Sequence, residues 1–162
     1  MNSEINVVKP ETVILTTEER YVKDEITVMV LNDGISFNSG SSFVIKDINK
    51  VEYFKCKDKS VLFTDGKVLK DMNKVPVIAI KGNSHIYNPN KNKKIASVSK
   101  NGLFSSSVGY DVSFHNKATH SNENLVMKYD SKKKECNIFY GKNEKAPLVA
   151  KIQKKSSVIG KD

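Results

Sequence analysis

Lysine is the residue whose number and spacing offer this chain the clearest chemistry. The formal net charge is +9, with 27 Lys and Arg against 18 Asp and Glu. All of the excess falls in residues 82–162, since residues 1–81 carry 12 charges of each sign. Several positive charges in one stretch attract an anionic partner. Three groups of lysines lie close together in the sequence and are candidate binding sites for an anion: Lys91, Lys93 and Lys94; Lys128, Lys132, Lys133 and Lys134; and Lys151, Lys154 and Lys155.

The near absence of arginine limits the kind of anion. Arg20 is the only arginine. Arginine holds phosphate or carboxylate with a bidentate fork, whereas lysine acts as a hydrated point charge. A surface of lysines is therefore poorly suited to reading guanine edges. We predict anionic membrane lipids or an acidic protein as the partner, and no specific nucleic acid. The alternative interpretation is a bias of composition in which the lysines only solvate strand faces.

No combination of residues typical of an enzyme or a metal site accompanies the lysines. The serines at 105–107 lack a Gly-x-Ser-x-Gly turn, no carboxylates pair as acid and base, and no glycine-rich phosphate loop is present. Zinc sites usually have two of their ligands close together in the sequence, and no histidine or cysteine here forms such a pair. The chain has three histidines and two cysteines: His85, His115, His120, Cys56 and Cys136. We predict a protein that is not an enzyme and needs no cofactor.

Length and composition indicate one globular domain in a reducing compartment. The 162 residues fit one domain, and 38% of them are hydrophobic. No run approaches the roughly 18 apolar residues of a membrane span, and residues 1–10 lack the pattern of a secretory signal. Cys56 and Cys136 are then expected to be free thiols. The predicted location is the cytoplasm, with peripheral attachment to a membrane.

The elements that must position the lysines are short β-strands. An internal repeat shows this best, because residues 43–54 and 67–78 both read as strand, turn with Asp, Asn and Lys, and strand. Residues 86–98 and 136–150 are the third and fourth copies. Short strands joined by tight turns predict antiparallel hairpins, and closure into a barrel removes the exposed sheet edges. An open β-sandwich is the alternative.

The order of these hairpins resembles the LURP-one-related family, whose domain is similar to the C-terminal domain of tubby proteins and to phospholipid scramblases. The likeness covers residues 25–155 and rests on four motifs, each weak alone, at 43–54, 69–81, 94–100 and 150–155. It implies a closed antiparallel β-barrel of about twelve strands around a C-terminal helix, and phosphoinositide binding at membranes. Residues 156–162 lack an apolar helix pattern, so the family's central helix is expected to be missing.

These observations combine into one set of predictions. The fold is all-β, a closed antiparallel barrel built from repeated hairpins. Residues 1–24 form a stretch at the N-terminus with a first strand and a loop, residues 25–155 the LURP-one-like barrel, and residues 156–162 a short tail. The function is a non-enzymatic binding module that recognises acidic phospholipid (phosphoinositide) headgroups at a membrane surface through lysine-rich turns.

Three other functions remain as alternatives. The barrel lumen, without its helix, suits a carrier of an apolar small molecule. A protein-interaction domain is the second. Nucleic-acid binding is disfavoured, because most aromatic residues fall in alternating strands that are typical of a core, namely Tyr53, Phe54, Phe104, Phe114, Tyr129, Phe139 and Tyr140.

Overall fold

The computed structural model describes residues 6–31, 43–58, 66–82, 85–90, 92–104 and 107–153, and these ranges hold eleven β-strands and no α-helix. A single 3₁₀ turn, Glu19–Tyr21, precedes the strands. The strands are β1 (Met29–Leu31), β2 (Phe43–Asp47), β3 (Glu52–Asp58), β4 (Gly66–Asp71), β5 (Pro76–Lys81), β6 (His85–Tyr87), β7 (Lys94–Phe104), β8 (Ser107–Asn116), β9 (Ser121–Asp130), β10 (Glu135–Tyr140) and β11 (Leu148–Gln153).

All eleven strands form one antiparallel sheet in which each strand lies beside its neighbours in the chain. The prediction of an all-β fold built from hairpins is therefore confirmed. Within the described ranges β1 and β11 are the two ends of the strand order, and no pairing joins them. Closure into a barrel of about twelve strands stays a prediction. The prediction that the family's C-terminal helix is missing concerns residues 156–162, which lie outside the described residues.

The first two copies of the repeat have the same backbone geometry. In the β2–β3 turn, the N–H of Asp47 donates to the Val51 carbonyl at 3.0 Å, and the carboxylate of Asp47 accepts the Val51 N–H at 3.0 Å. Lys50 then takes a left-handed conformation with φ of 65°. The β4–β5 turn repeats this arrangement from Asp71, and Lys74 has φ of 66°. Each hairpin also contains one register shift beside the turn. The repeat in sequence is thus a repeat in structure.

The residues divide into two compact units. The large unit comprises residues 12–98 and 113–123, and the small unit comprises residues 1–11, 99–112 and 124–162. The most buried apolar residues of the large unit are Cys56, Val68, Val77, Ala79, Ala96 and Phe114. Those of the small unit are Val112 and Val126.

Both cysteines are free thiols, as predicted.

Candidate anion-binding surface

The turn between β9 and β10 presents three consecutive lysines, and we call it the lysine turn (Ser131–Lys134). Lys132, Lys133 and Lys134 are all exposed. The carboxylate of Asp130 accepts the N–H groups of Lys132 at 2.9 Å and Lys133 at 3.0 Å, which fixes the backbone of the turn. Lys134 closes the turn with φ of 53°. A local carboxylate therefore holds three lysines in one short, ordered loop.

The electrostatics of the lysine turn leave it positive at neutral pH. The pKa of Asp130 is lowered, chiefly by the hydrogen bond from the Lys133 N–H, then by that from Lys132, and further by the positive charges of both lysines. Asp130 is thus ionised, and Asp130 with the three lysines carries a net charge of +2. No ion pair to these three side chains occurs among the residues that the structure describes.

Two other predicted lysines of the small unit are already paired. The Nζ atom of Lys128 lies 2.6 Å from Oε1 of Glu144. The Nζ atom of Lys151 lies 3.3 Å from Oε2 of Glu135, and both side chains of this pair are largely buried. The pKa of Glu135 is lowered, first by its hydrogen bond from Gln153 and then by Lys151, against the effect of burial. The positive charges of these two lysines are already partly neutralised, so they attract an external anion less strongly than the lysine turn does.

The remaining predicted lysines fall in other places. Lys93 and Lys94 are exposed at the β6–β7 turn, which belongs to the large unit. The side chain of Asn88 accepts the N–H groups of Asn92 and Lys93, both at 3.1 Å, and orders that turn. Lys91, Lys154 and Lys155 lie outside the described residues. Convergence of all three lysine groups on one rim therefore stays a prediction.

An apolar face lies directly beside the lysine turn. In register across β9, β10 and β11, Cys136 stands opposite both Tyr129 and Ile152, so the three side chains share one face of the sheet. Tyr129 is 40% exposed and Ile152 is 49% exposed. The same face continues through Leu125, Met127, Ile138, Tyr140 and Ala150, and none of these is fully buried. We call these eight residues the apolar face.

The exposure of Tyr129 corrects the expectation that the aromatic residues form the core. Phe114, which is 4% exposed, does belong to the core of the large unit. Tyr129 instead lies at the surface two residues before the lysine turn begins. The signal was present in the sequence, because Met127 and Tyr129 alternate with the polar residues Lys128 and Asp130. Alternation locates an apolar face but does not say whether another layer covers it.

Sequence reasoning also missed a buried polar residue at the end of β8. Asn116 is 0% exposed and follows Phe114 in the alternation of the strand. Its Oδ1 atom accepts the N–H groups of Leu15 at 3.1 Å and Ala118 at 3.0 Å. Its Nδ2 atom donates to the carbonyl of Val13 and to Oε2 of Glu123, both at 2.9 Å. Four partners thus satisfy the amide.

Residues 13–21, which we call the N-terminal segment, have a second anchor at Tyr21. Its hydroxyl donates to Oδ2 of Asp71 at 2.9 Å, and its ring centroid lies 5.7 Å from that of Phe54. Burial and this hydrogen bond raise the pKa of Tyr21. The pKa of Asp71 is lowered: burial opposes the shift, but the Val75 N–H, the Tyr21 hydroxyl and the charge of Arg20 outweigh it. The tyrosine is neutral and the carboxylate ionised at pH 7.

Residues 26–162 match a protein-family model described as LURP-one-related. The chain belongs to the LURP-one-related family. The lysine turn, the apolar face and Asn116 all lie inside the LURP-one-related match, whereas the N-terminal segment precedes it. Neither a search of curated proteins nor one of solved structures gives a match.

Two further findings bear on the site of this LURP-one-related chain. Across the described ranges, no helix is long and apolar enough to cross a membrane. In the same ranges, no group of three or more His, Cys, Asp or Glu side chains is arranged to hold a metal ion.

Proposed function

We propose that this LURP-one-related protein is a non-enzymatic binding module that attaches to acidic phospholipid surfaces, phosphoinositide-containing membranes in particular, through the lysine turn. The observation that carries the proposal is the position of the turn beside the exposed Tyr129 and Ile152. Lysines near an anionic leaflet contribute about 1 kcal/mol each. A tyrosine placed next to them suits the boundary between headgroups and acyl chains.

Both parts of the surface are needed for useful affinity. The positive charges of the lysine turn act over about 10 Å at 0.1 M salt, and they weaken as salt rises. Without a lipid anchor, a basic patch alone binds reversibly and weakly. Insertion of Tyr129 and Ile152 adds a contribution that salt does not screen, because it comes from removing apolar area from water. The proposal therefore includes a salt-sensitive and a salt-insensitive component.

Co-sedimentation with vesicles tests the proposal. We expect binding to vesicles that contain phosphoinositide, little binding to neutral vesicles, and a loss as salt rises. The variant Lys132→Gln with Lys133→Gln should bind about 30-fold more weakly at low salt, from about 1 kcal/mol per lysine. Tyr129→Ser should weaken binding at both salt concentrations.

A matched control exists at the opposite end of β10. Lys142 and Lys145 are exposed in the β10–β11 turn, so the variant Lys142→Gln with Lys145→Gln makes the same change in net charge. We expect it to bind vesicles nearly as the unchanged protein does. Equal losses in the two double variants would reduce the effect to net charge and overturn the assignment to the lysine turn. Absence of binding at low salt would overturn the membrane proposal itself.

A second candidate function is a carrier of an apolar small molecule, and the apolar face favours it. This function also requires the sheet to close into a barrel, as in the fold that the family resemblance implies. Extraction of the purified protein with organic solvent, followed by mass spectrometry, should then release a stoichiometric lipid. The variant Met127→Lys should purify without it. Slow hydrogen exchange at those amides of β1 that face away from β2 would support closure, whereas fast exchange at the same amides would contradict it.

A further inference from the structure

The N-terminal segment lies before the family match. Other residues of the large unit contact it mainly through its main chain, as a peptide-binding site contacts a peptide. Asn116 contacts the main chain at two points, the Leu15 N–H at 3.1 Å and the Val13 carbonyl at 2.9 Å. The N–H of Lys117 donates to the Leu15 carbonyl at 2.7 Å. None of these three hydrogen bonds involves a side chain of the segment. Main-chain contacts of this kind supply affinity for extended peptides regardless of their sequence.

A contact site for one side chain accompanies the main-chain contacts. Tyr21 places its hydroxyl 2.9 Å from Oδ2 of Asp71 and its ring against Phe54. Arg20 adds an ion pair to the same carboxylate oxygen, with Nη1 at 3.7 Å. A tyrosine is the side chain that fills an apolar contact and also satisfies a carboxylate. The site thus combines hydrogen bonds to the main chain with a carboxylate and a ring that together suit an aromatic hydroxyl.

The receptor side of this site is ordered by contacts that do not involve the segment. Asn116 donates to Glu123 and accepts from the Ala118 N–H, both within the β8–β9 hairpin. The other carboxylate oxygen of Asp71 accepts the Val75 N–H at 2.8 Å, within the β4–β5 hairpin. The amide and the carboxylate would keep their orientations if the segment left. A preorganised site of this kind takes up a ligand at low cost in ordering.

The connection between the segment and the sheet is suited to release. Residues 22–28 are all exposed, and Ile26 is 56% exposed. An open groove of about 570 Å³ is lined by residues 23–28, 47–49 and Tyr53, so this connection is not packed tightly against the β2–β3 turn. The segment can then leave its site without opening the core. Exchange of such an element between identical chains is a low-cost route to a dimer.

We propose that Asn116, Lys117, Asp71 and Phe54 form a peptide-binding site, that the N-terminal segment is its ligand within one chain, and that the same segment of a second copy binds there by exchange. The ligand chemistry is a peptide whose main chain binds Asn116 at the positions of Val13 and Leu15 and whose tyrosine, six residues after Leu15, ends a 3₁₀ turn. The inference does not depend on the lysine turn or on membrane binding.

Two variants of the 162-residue chain distinguish damage to the segment from damage to the site that binds it. The Tyr21→Ala chain has a weakened segment and an intact site, whereas the Asp71→Asn, Asn116→Ala chain has an intact segment and a damaged site. We expect neither chain alone to dimerise, and we expect an equimolar mixture to form a heterodimer in size-exclusion chromatography with light scattering. A mixture that stays monomeric would overturn the exchange between copies.

A labelled peptide of residues 10–24 tests the site itself and does not need the double variant to fold. Fluorescence anisotropy should show at least tenfold tighter binding to the Tyr21→Ala chain than to the unchanged chain, because the segment no longer competes. The same peptide with Tyr21→Ala should bind at least tenfold more weakly. No binding of the unchanged peptide up to about 1 mM, which corresponds to a very weak complex, would overturn the peptide-binding site.

Discussion

Lys50 and Lys74 hold the same left-handed backbone conformation, with φ of 65° and 66°, at the same point of two consecutive hairpins. Each is followed by a valine whose N–H is bound by the aspartate that opens the turn. Residues with a Cβ atom pay about 1–2 kcal/mol for this conformation, whereas glycine adopts it freely. The repeated turn therefore stores the same local strain twice.

Replacing either lysine by glycine should stabilise the protein. We expect Lys50→Gly and Lys74→Gly each to raise the free energy of unfolding by about 0.5 to 1 kcal/mol, since relief of the left-handed strain exceeds the entropy cost of glycine. Urea denaturation measures the change. Lys55→Gly, in the middle of β3, is the control and should destabilise. Destabilisation by both turn variants would show that the strain is not relieved by glycine.

Removing the amide of Asn116 should be costly. Asn116→Ala deletes four hydrogen bonds in a site that is 0% exposed, and we expect a loss of about 2–4 kcal/mol in the free energy of unfolding. Asn122→Ala is the matched control on the neighbouring strand, because Asn122 is exposed, and it should change stability by less than about 0.5 kcal/mol. Similar small effects of both changes would contradict the assigned network.

Acid should weaken the contribution of Glu135 to the free energy of unfolding. Its pKa is lowered by Gln153 and Lys151, so its share of stability is fully present above the unfolded-state pKa of about 4.3 and is lost as the pH falls through the lower folded-state value. We expect Glu135→Gln to destabilise the protein at pH 7 and pH 5, and the difference from the unchanged protein to shrink below pH 4.

The control for this pH dependence is Glu144→Gln. The ion pair of Glu144 with Lys128 is more exposed, so the change should alter the free energy of unfolding by at most about 1 kcal/mol. Urea titrations at pH 7, 5 and 3.5 give the comparison. A difference for Glu135→Gln that does not vary with pH would place its effect in packing rather than in charge.

Both thiols should react slowly in the folded protein. Cys56 is 1% exposed, and burial raises the pKa of Cys136, which leaves little reactive thiolate at neutral pH. We expect Ellman's reagent at pH 7 to label neither thiol rapidly and to label both at once in denaturant. Rapid labelling of one equivalent without denaturant would contradict the protection that burial gives one of the two thiols.

The strands and turns were predictable because their signals are local. The alternation and the Asp-Asn-Lys turns of residues 43–54 and 67–78 specify two hairpins, and the structure shows both with equal geometry. The lysine turn was equally visible, since its three lysines are consecutive in the chain. Turn chemistry and period-two patterns act over a few residues, which is the range that a sequence displays directly.

The partners of these residues were not predictable because they are set by register and by distant chain segments. Counting charges placed Lys128 and Lys151 in the site, but the fold gives each of them a glutamate, Glu144 from the β10–β11 turn and Glu135 from β10. The burial of Asn116 has no local signal in the sequence, because its partners Val13 and Leu15 lie 103 and 101 residues earlier. No short pattern encodes such contacts.

The distance in sequence between Leu15 and Asn116 has a consequence for synthesis in the cell. The ribosome makes about 5–20 residues per second, so the N-terminal segment emerges about 5–20 s before the residue that will hold it. Under the proposed exchange, a second copy that is already folded would present the only completed site during that interval. If the segment exchanges between copies as proposed, the order of synthesis allows residues 13–21 to bind either their own chain or a second copy.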